Sequence, residues 1–233
     1  MHDDFQSGRI ILIDKPYTWT SFNVVAKLKA IIRAHTGVKK FKIGHAGTLD
    51  PLATGLLIIC VGKKTKEIDH FQSLPKEYTG VFRIGSTTPS FDLEKEVDAN
   101  YPTNHITEAL IISTANSFVG VQMQVPPIFS AVKVNGKRAY SYARVGEEVE
   151  MKSKEINIYE FEVTKIDGND VSFRICCTKG TYIRSIARDF GLALDSGAHL
   201  IELRRTKIGD YSVDTALSPE SNQEIIAELK LNC

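Results

Sequence analysis

Residues 155–178 read EINIYEFEVTKIDGNDVSFRICCT, and this alternation sets the fold class. Ile156 and Ile158 with further apolar partners mark one strand over 155–166. Val171, Phe173, Ile175 and Cys177 share a face of a second strand over 170–178. Successive strand side chains point to opposite faces, so a period of two with one apolar side describes a half-buried strand. Asp167-Gly168 joins the two as a tight turn, which makes them antiparallel neighbours. Immediately afterwards the period changes, and Ile183, Ile186, Ala187 and Phe190 recur at helical spacing over 181–194. Hairpins interspersed with helices imply an α+β fold with a mixed, largely antiparallel central sheet and flanking helices.

The same signals extend outward. Arg9–Asp14 is a short strand closed by Lys15-Pro16, and Thr20 or Ser21 caps a helix carrying Val24, Val25, Leu28, Ile31, Ile32 and His35 up to Gly37. Leu56–Val61 reads as a buried strand, 64–71 as a short helix, 78–85 as a strand and 106–118 as a helix. Asn135-Gly136 suits a hairpin turn. A strand over 200–213 and a helix over 219–230 complete the expectation, and no repeat of solenoid period is present.

Composition restricts the function classes. With 42% hydrophobic and 24% charged residues over 233 positions, the chain is globular and is expected to hold one core with an insertion. No apolar run approaches the roughly 20 residues that span a bilayer, and the start, MHDDFQSGR, is polar and acidic rather than a signal or transit peptide. A cytoplasmic location is expected. The four cysteines form no C-x-x-C and the six histidines no cluster, so reduced thiols are expected and neither a metal nor a disulfide framework. Net charge is only +1, yet 24–66 holds nine basic residues against one acid, Asp50, and 133–144 holds four against none. Such basic stretches can meet phosphates.

The lone acid sits in the densest motif, GHAGTLDPLATG over 44–55. Proline after Asp50 pushes it toward extended backbone, and glycines on both sides permit tight turning and close approach of another molecule. A carboxylate on a rigid loop edge can act as a nucleophile or face a developing cation. Taken alone, Asp-Pro in a glycine-rich loop is an ordinary turn.

GHAGTLDPLATGLL resembles the active-site loop of the bacterial tRNA pseudouridine-55 synthase family (TruB), and further matches follow in the family's order. They are Asp14-Lys15-Pro16 with Thr20-Ser21, Lys76-Glu77-Tyr78, Pro127 to Lys133, Lys179-Gly180-Thr181-Tyr182-Ile183-Arg184, and Gly197-Ala198-His199-Leu200 through Leu203-Arg204-Arg205. The resemblance spans residues 9–215. It implies a cofactor-free, metal-free isomerase that flips a uridine of the tRNA T loop (position 55), breaks the glycosidic bond, rotates the base and rejoins it through carbon. It gives Asp50 the role of catalytic carboxylate, Tyr78 that of aromatic platform and proton acceptor, and Arg184 that of the partner of Asp50. His45 would hold the flipped nucleotide, Tyr182 and Leu203 would line the pocket, and Lys15 and Lys179 would support it. The implied partner is the T stem-loop of tRNA, with no membrane and a monomeric enzyme. Residues 121–154, with Pro126-Pro127, Phe129, Tyr140 and Tyr142 among Lys133, Lys137, Arg138 and Arg144, correspond to the family's RNA-gripping, thumb-like insertion.

Three departures accompany the matches. Thr18 stands where the family usually has glycine, and Thr88-Pro89-Ser90-Phe91-Asp92 keeps only the first Thr and last Asp of the usual Thr-Asp-Thr-x-Asp. Too few residues follow Asp214 to build the small C-terminal RNA-binding (PUA-type) domain that many members add. Competing readings are an RNA-folding chaperone whose catalysis is dispensable and a related synthase acting on another RNA. Taken singly, Arg184 with Arg188 is a solvated helix face and Leu203 is core.

Overall fold

The computed structural model describes residues 8–130, 132–134, 136–144, 147 and 149–230. The acidic start of the chain, Asn135 of the expected turn and Cys233 lie outside them. In chain order the elements begin with β1 (Arg9–Lys15), α1 (Ser21–Thr36), β2 (Ile43–His45), β3 (Thr54–Val61), a 3-10 turn (Gly62–Glu67), α2 (Ile68–Ser73) and β4 (Lys76–Ile84). Then come β5 (Ser86–Thr87), β6 (Ala99–Asn100), α3 (Glu108–Ser117), β7 (Gly120–Gln124), β8 (Lys133–Val134), β9 (Lys137–Arg138) and α4 (Ala139–Arg144). The chain continues through β10 (Lys154–Asp167), β11 (Asp170–Cys177), α5 (Ile183–Ala193), β12 (Ala198–Ile208), β13 (Tyr211–Ser212) and α6 (Asn222–Lys230). Contacts divide it into two units, one of residues up to Tyr78 and from Arg204 onward, the other Thr79–Leu203.

The first unit is organised around β3. On one edge β1 pairs antiparallel along its length, from Arg9 opposite Val61 to Lys15 opposite Gly55. On the other edge β2 pairs antiparallel at Ile59–Val61, and β12 runs parallel with Arg204 opposite Thr54 and Arg205 opposite Gly55. Both faces are covered too. Leu57, Ile59 and Val61 join Ile11 and Ile13 against Val24, Leu28 and Ile32 of α1 and Ile225 and Leu229 of α6. Leu56, Ile58 and Cys60 pack on the opposite side with Ala46, Phe71, Ile208 and Val213. A strand buried on both faces needs apolar residues at every position, which is why TGLLIICV shows no alternation. At the start of α1 the Thr20 hydroxyl accepts from Asn23 N (3.0 Å) while Thr20 N donates to Asn23 Oδ1 (2.8 Å). The helix stops at Gly37, whose φ of 71° is left-handed and whose N–H donates to Arg33 O.

In the second unit the hairpin of β10 and β11 forms as the alternation requires, with every second residue of β11 buried. Asp167 pairs with Asp170, so the connection is Gly168-Asn169, one residue later than the sequence pattern indicates, with Gly168 at φ 59°. Strand order in this unit is β12-β4-β11-β10-β7, antiparallel for β11-β10 and β10-β7. Phe82, Phe161, Phe173 and Phe190 make an aromatic core, with Phe82 and Phe173 ring centroids 4.2 Å apart and Phe161 and Phe190 5.6 Å apart. The expected helix inside 181–194 is α5, whose Ile183, Ile186, Ala187 and Phe190 are buried as its spacing implies. The sequence reading did not anticipate β5, β6, the short α4 or β7, which pairs with β10 from Lys154 to Ile158.

Candidate active site

Residues 46–53 form the loop between β2 and β3, and neighbouring elements grip its main chain. The hydroxyl of Ser21, the first residue of α1, donates to Leu49 O (3.2 Å) and accepts from Leu49 N (2.9 Å). Pro51 O accepts from Thr18 N (2.9 Å) and from the ammonium of Lys15 (3.4 Å), which also donates to Pro16 O (2.9 Å) and Trp19 O (2.6 Å). From β12 the fully buried guanidinium of Arg205 donates to Leu56 O (2.8 Å), Gly47 O (3.1 Å) and Thr48 O (3.4 Å). Asp50 O closes the turn by accepting from Ala53 N (3.1 Å). Residues on both sides of half-buried Asp50 are therefore fixed through backbone groups. Glycine is required at 55, where φ is 104° and an added Cβ would lie 2.3 Å from Arg205 O.

The charges around this loop are mostly buried cations. Lys15 has no exposed surface, and burial pushes its ammonium down to about 8, with Arg205 adding to the fall and Asp50 opposing it. Burial, reinforced by Arg205, also holds His45 below the ordinary imidazole value, so the ring is neutral at neutral pH. Its Nδ1 is buried with no hydrogen-bond partner among the described residues. Thr18 keeps the left-handed conformation that glycine would favour, at φ 69°. In that conformation Thr18 N makes its bond to Pro51 O. Tyr78 is nearly buried near the start of β4. In the residues before it, Lys76 spends its ammonium on Gln72 O and Leu74 O (2.6 Å each).

The second unit assembles another group at the N-terminus of α5. Arg184 is 4% exposed, which overturns its reading as part of a solvated helix face. Its Nη2 donates to Phe129 O (3.0 Å), its Nη1 to Ser90 O (3.3 Å), and its Nε lies 3.5 Å from Asp92 Oδ2. Asp92 is itself buried, and its carbonyl accepts from Thr88 Oγ1 (2.7 Å) and Ser90 Oγ (3.2 Å). The two residues retained from the family's Thr-to-Asp stretch therefore build the seat of Arg184. Tyr182, before the first turn of α5, is held by the buried side chain of Gln124, which accepts from Tyr182 N (2.8 Å) and donates to Tyr182 O (3.1 Å). Lys154 sits 5.2 Å from the Tyr182 ring centroid. Lys179 is exposed and Leu203 half-buried.

Lys15 and the loop carrying Asp50 thus meet at the Gly55 end of β3, His45 closes β2 opposite Ile59, and Tyr182 and Arg184 stand at the start of α5. The sequence reading gave no separate role to Arg205, Asp92 or Gln124. Arg205 and Asp92 were visible only as members of longer matched motifs. Among the described residues no group of three or more His, Cys, Asp or Glu is placed to hold a metal ion, and no helix is long and apolar enough to cross a membrane.

Comparison with known proteins agrees with this architecture. Residues 33–183 match the model of the N-terminal domain of TruB family pseudouridylate synthases, and residues 184–227 that of the C-terminal domain of tRNA pseudouridylate synthase B. The chain is similar to a tRNA pseudouridine synthase B of Flavobacterium johnsoniae, 56% identical over 216 residues that cover 92% of this chain and 94% of the relative. Its counterpart in Parabacteroides distasonis is 53% identical over 225 residues, 97% of this chain and 96% of the relative. Among solved structures, a chain of a Cbf5-Nop10-Gar1 complex is similar with a TM-score of 0.69 and 31% identity. A chain of an H/ACA ribonucleoprotein bound to a substrate RNA containing 2'-deoxyuridine gives 0.67 and 29%. Each match covers 93% of this chain but only about half of the solved one, 54% and 52%. Fold and motifs together define a pseudouridine synthase. The chain belongs to the TruB family of pseudouridylate synthases.

Proposed function

We propose that this tRNA pseudouridine synthase isomerises a uridine of the T loop, with Asp50 as the catalytic carboxylate. The observation that carries the reading is the clamped loop, since three side chains, of Ser21, Lys15 and Arg205, fix the backbone around Asp50 in a cation-rich setting. Pre-set geometry is what a displacement at a crowded sugar or base needs. A stacked base cannot be turned where it lies, so the nucleotide is flipped out, at a cost of roughly a few kcal/mol. Stacking on an aromatic ring returns about 1–3 kcal/mol per base, and Tyr78 fills that role. The Asp50 carboxylate forms a transient bond to the sugar or the base that is broken again before product leaves. The bond from N1 to the sugar opens, the base rotates, C5 bonds to the sugar, C5 loses its proton and N1 gains one. Tyr78 accepts the C5 proton.

Arg184 serves as the electrostatic partner of the Asp50 carboxylate. Neutral His45 holds the extruded nucleotide by hydrogen bonding, and Tyr182 and Leu203 line the pocket. Lys179 meets the RNA backbone, while Lys15 acts through the loop by bonding the Pro51 carbonyl. The chain works as one catalytic domain whose 121–154 segment grips the stem-loop. The test is chemical mapping of pseudouridine in tRNA incubated with wild type or Asp50→Asn. Wild type is expected to modify the T loop and Asp50→Asn to leave it as uridine; modification by the variant at the wild-type rate would refute the carboxylate role.

A further inference from the structure

In sequence order, nine cations surround Asp50, but the fold of the first unit sends most of them elsewhere. From Gly55, beside the loop, to Val61 is six residues of β3, and at about 3.3 Å each the ends lie roughly 20 Å apart. Helix α1 gives an independent ruler. It starts at Ser21, which grips Leu49, and runs 16 residues to Thr36, about 24 Å at 1.5 Å per residue. Lys39, Lys40 and Lys42 follow that far end, and Lys63 and Lys66 leave the far end of β3. Hydrogen bonds tie the two groups together: Gly62 N donates to Lys42 O (2.8 Å), and Arg33 Nη2 donates to Lys39 O (3.0 Å). All five lysines are exposed. Glu67, the nearest acid along the chain, is taken up by Lys64 at 2.8 Å. No acid occurs in α1 either, so no carboxylate of that helix interrupts the path from the loop to the cluster.

A pocket that only holds a flipped base does not require this charge so far away, whereas a helical stem carries phosphates along its whole length. We propose that Lys39, Lys40, Lys42, Lys63 and Lys66, with Arg33, form a second RNA surface. It takes the phosphodiester backbone of a double-stranded stem of tRNA roughly 20 Å from the nucleotide held at Asp50. The inference rests on the T-loop reading for the placement of the RNA. Lysines suit the task, because point charges on flexible stems follow a backbone without reading sequence.

The test is binding of full-length tRNA, over a range of salt, to wild type and to a variant combining Lys39→Gln, Lys40→Gln, Lys63→Gln and Lys66→Gln. Each phosphate contact contributes about 0.7–0.9 to the slope of log K against log salt, so the variant, with four lysines removed, is expected to lose about 3–4 from that slope. Its Kd at low salt is expected to rise at least about tenfold by the same counterion argument. A T stem-loop cut to a few base pairs, too short to reach the cluster, is expected to bind both proteins alike. The matching Lys→Arg combination is expected to keep the wild-type slope. Equal slopes for wild type and the Gln variant on full tRNA would overturn the proposal. So would equal weakening on both RNAs, which would place the effect at the loop or in the fold. Pseudouridine mapping with wild type is read separately: a slope difference without T-loop modification would refute the T-loop reading and support the surface.

Discussion

Replacing Arg205 by methionine removes the support beneath the catalytic loop without shortening the side chain much. The guanidinium is 1% exposed and makes two good bonds, to Leu56 O at 2.8 Å and Gly47 O at 3.1 Å, plus a longer one to Thr48 O at 3.4 Å. Hydrogen bonds to a charged donor contribute about 1.5–3 kcal/mol each, so the two short ones amount to roughly 3–6 kcal/mol. Part of this is offset, because methionine no longer buries a charge and fills the space with apolar surface. Arg205→Met is therefore expected to lose about 2–4 kcal/mol, read as a lower urea midpoint at unchanged slope. Catalysis should suffer separately. With Gly47 and Thr48 released, Asp50 is misplaced, and a 1 Å error at a reacting group costs on the order of 100-fold. At temperatures where the variant remains folded, kcat should fall far more than tRNA affinity. A loss below about 1 kcal/mol with unchanged kcat would refute the role given to this arginine.

Two further outcomes follow from the same clamp. Thr18→Gly relieves a left-handed residue, whose cost of about 1–2 kcal/mol exceeds the entropy that glycine adds to the unfolded chain, about 0.4–1 kcal/mol. Tm should rise by about 1–3 °C, and an unchanged or lower value would contradict the strain argument. For Lys15 the sign is fixed by its fall from 10.5 to about 8. Between these values the unfolded chain holds a proton that the folded one has released, so stability rises with pH across this window and the gain is absent below about 8. The difference in unfolding free energy between wild type and Lys15→Met should grow by roughly 3 kcal/mol from pH 8 to 10.5, and a flat difference would show that burial does not control this group.

Local periodicity made much of the fold legible. The β10–β11 hairpin, α1 with its Thr20 cap and Gly37 stop, and α5 were all readable because each repeats its pattern over two or more turns or pleats. β2, β5 and β6 were not, since two or three residues carry no period. β7 was hidden for a different reason. Its apolar Val121 and Met123 are 63% and 65% exposed while its polar Gln124 is buried, the reverse of an ordinary strand, because Gln124 is spent on the backbone of Tyr182. The site divides similarly. Asp50, His45 and Tyr78 stood in motifs, but the burial of Arg184 and Arg205 depends on carbonyls far along the chain, at Ser90 and Gly47. Charged residues are ordinarily placed at the surface, and nothing nearby in sequence announces a distant acceptor.

The arginine under the loop also sets an order of events during synthesis. Leu56 and Gly47, whose carbonyls it binds, leave the ribosome 149 and 158 residues before it does. At about 5–20 residues per second, that interval is roughly 10–30 s. The nascent loop carrying Asp50 spends it unbraced, while the intervening unit, a single uninterrupted stretch ending at Leu203, is being synthesised. Active-site formation is accordingly one of the last steps of biogenesis, so premature termination before residue 205 yields chains that contain every residue assigned here to chemistry and lack the brace that positions Asp50.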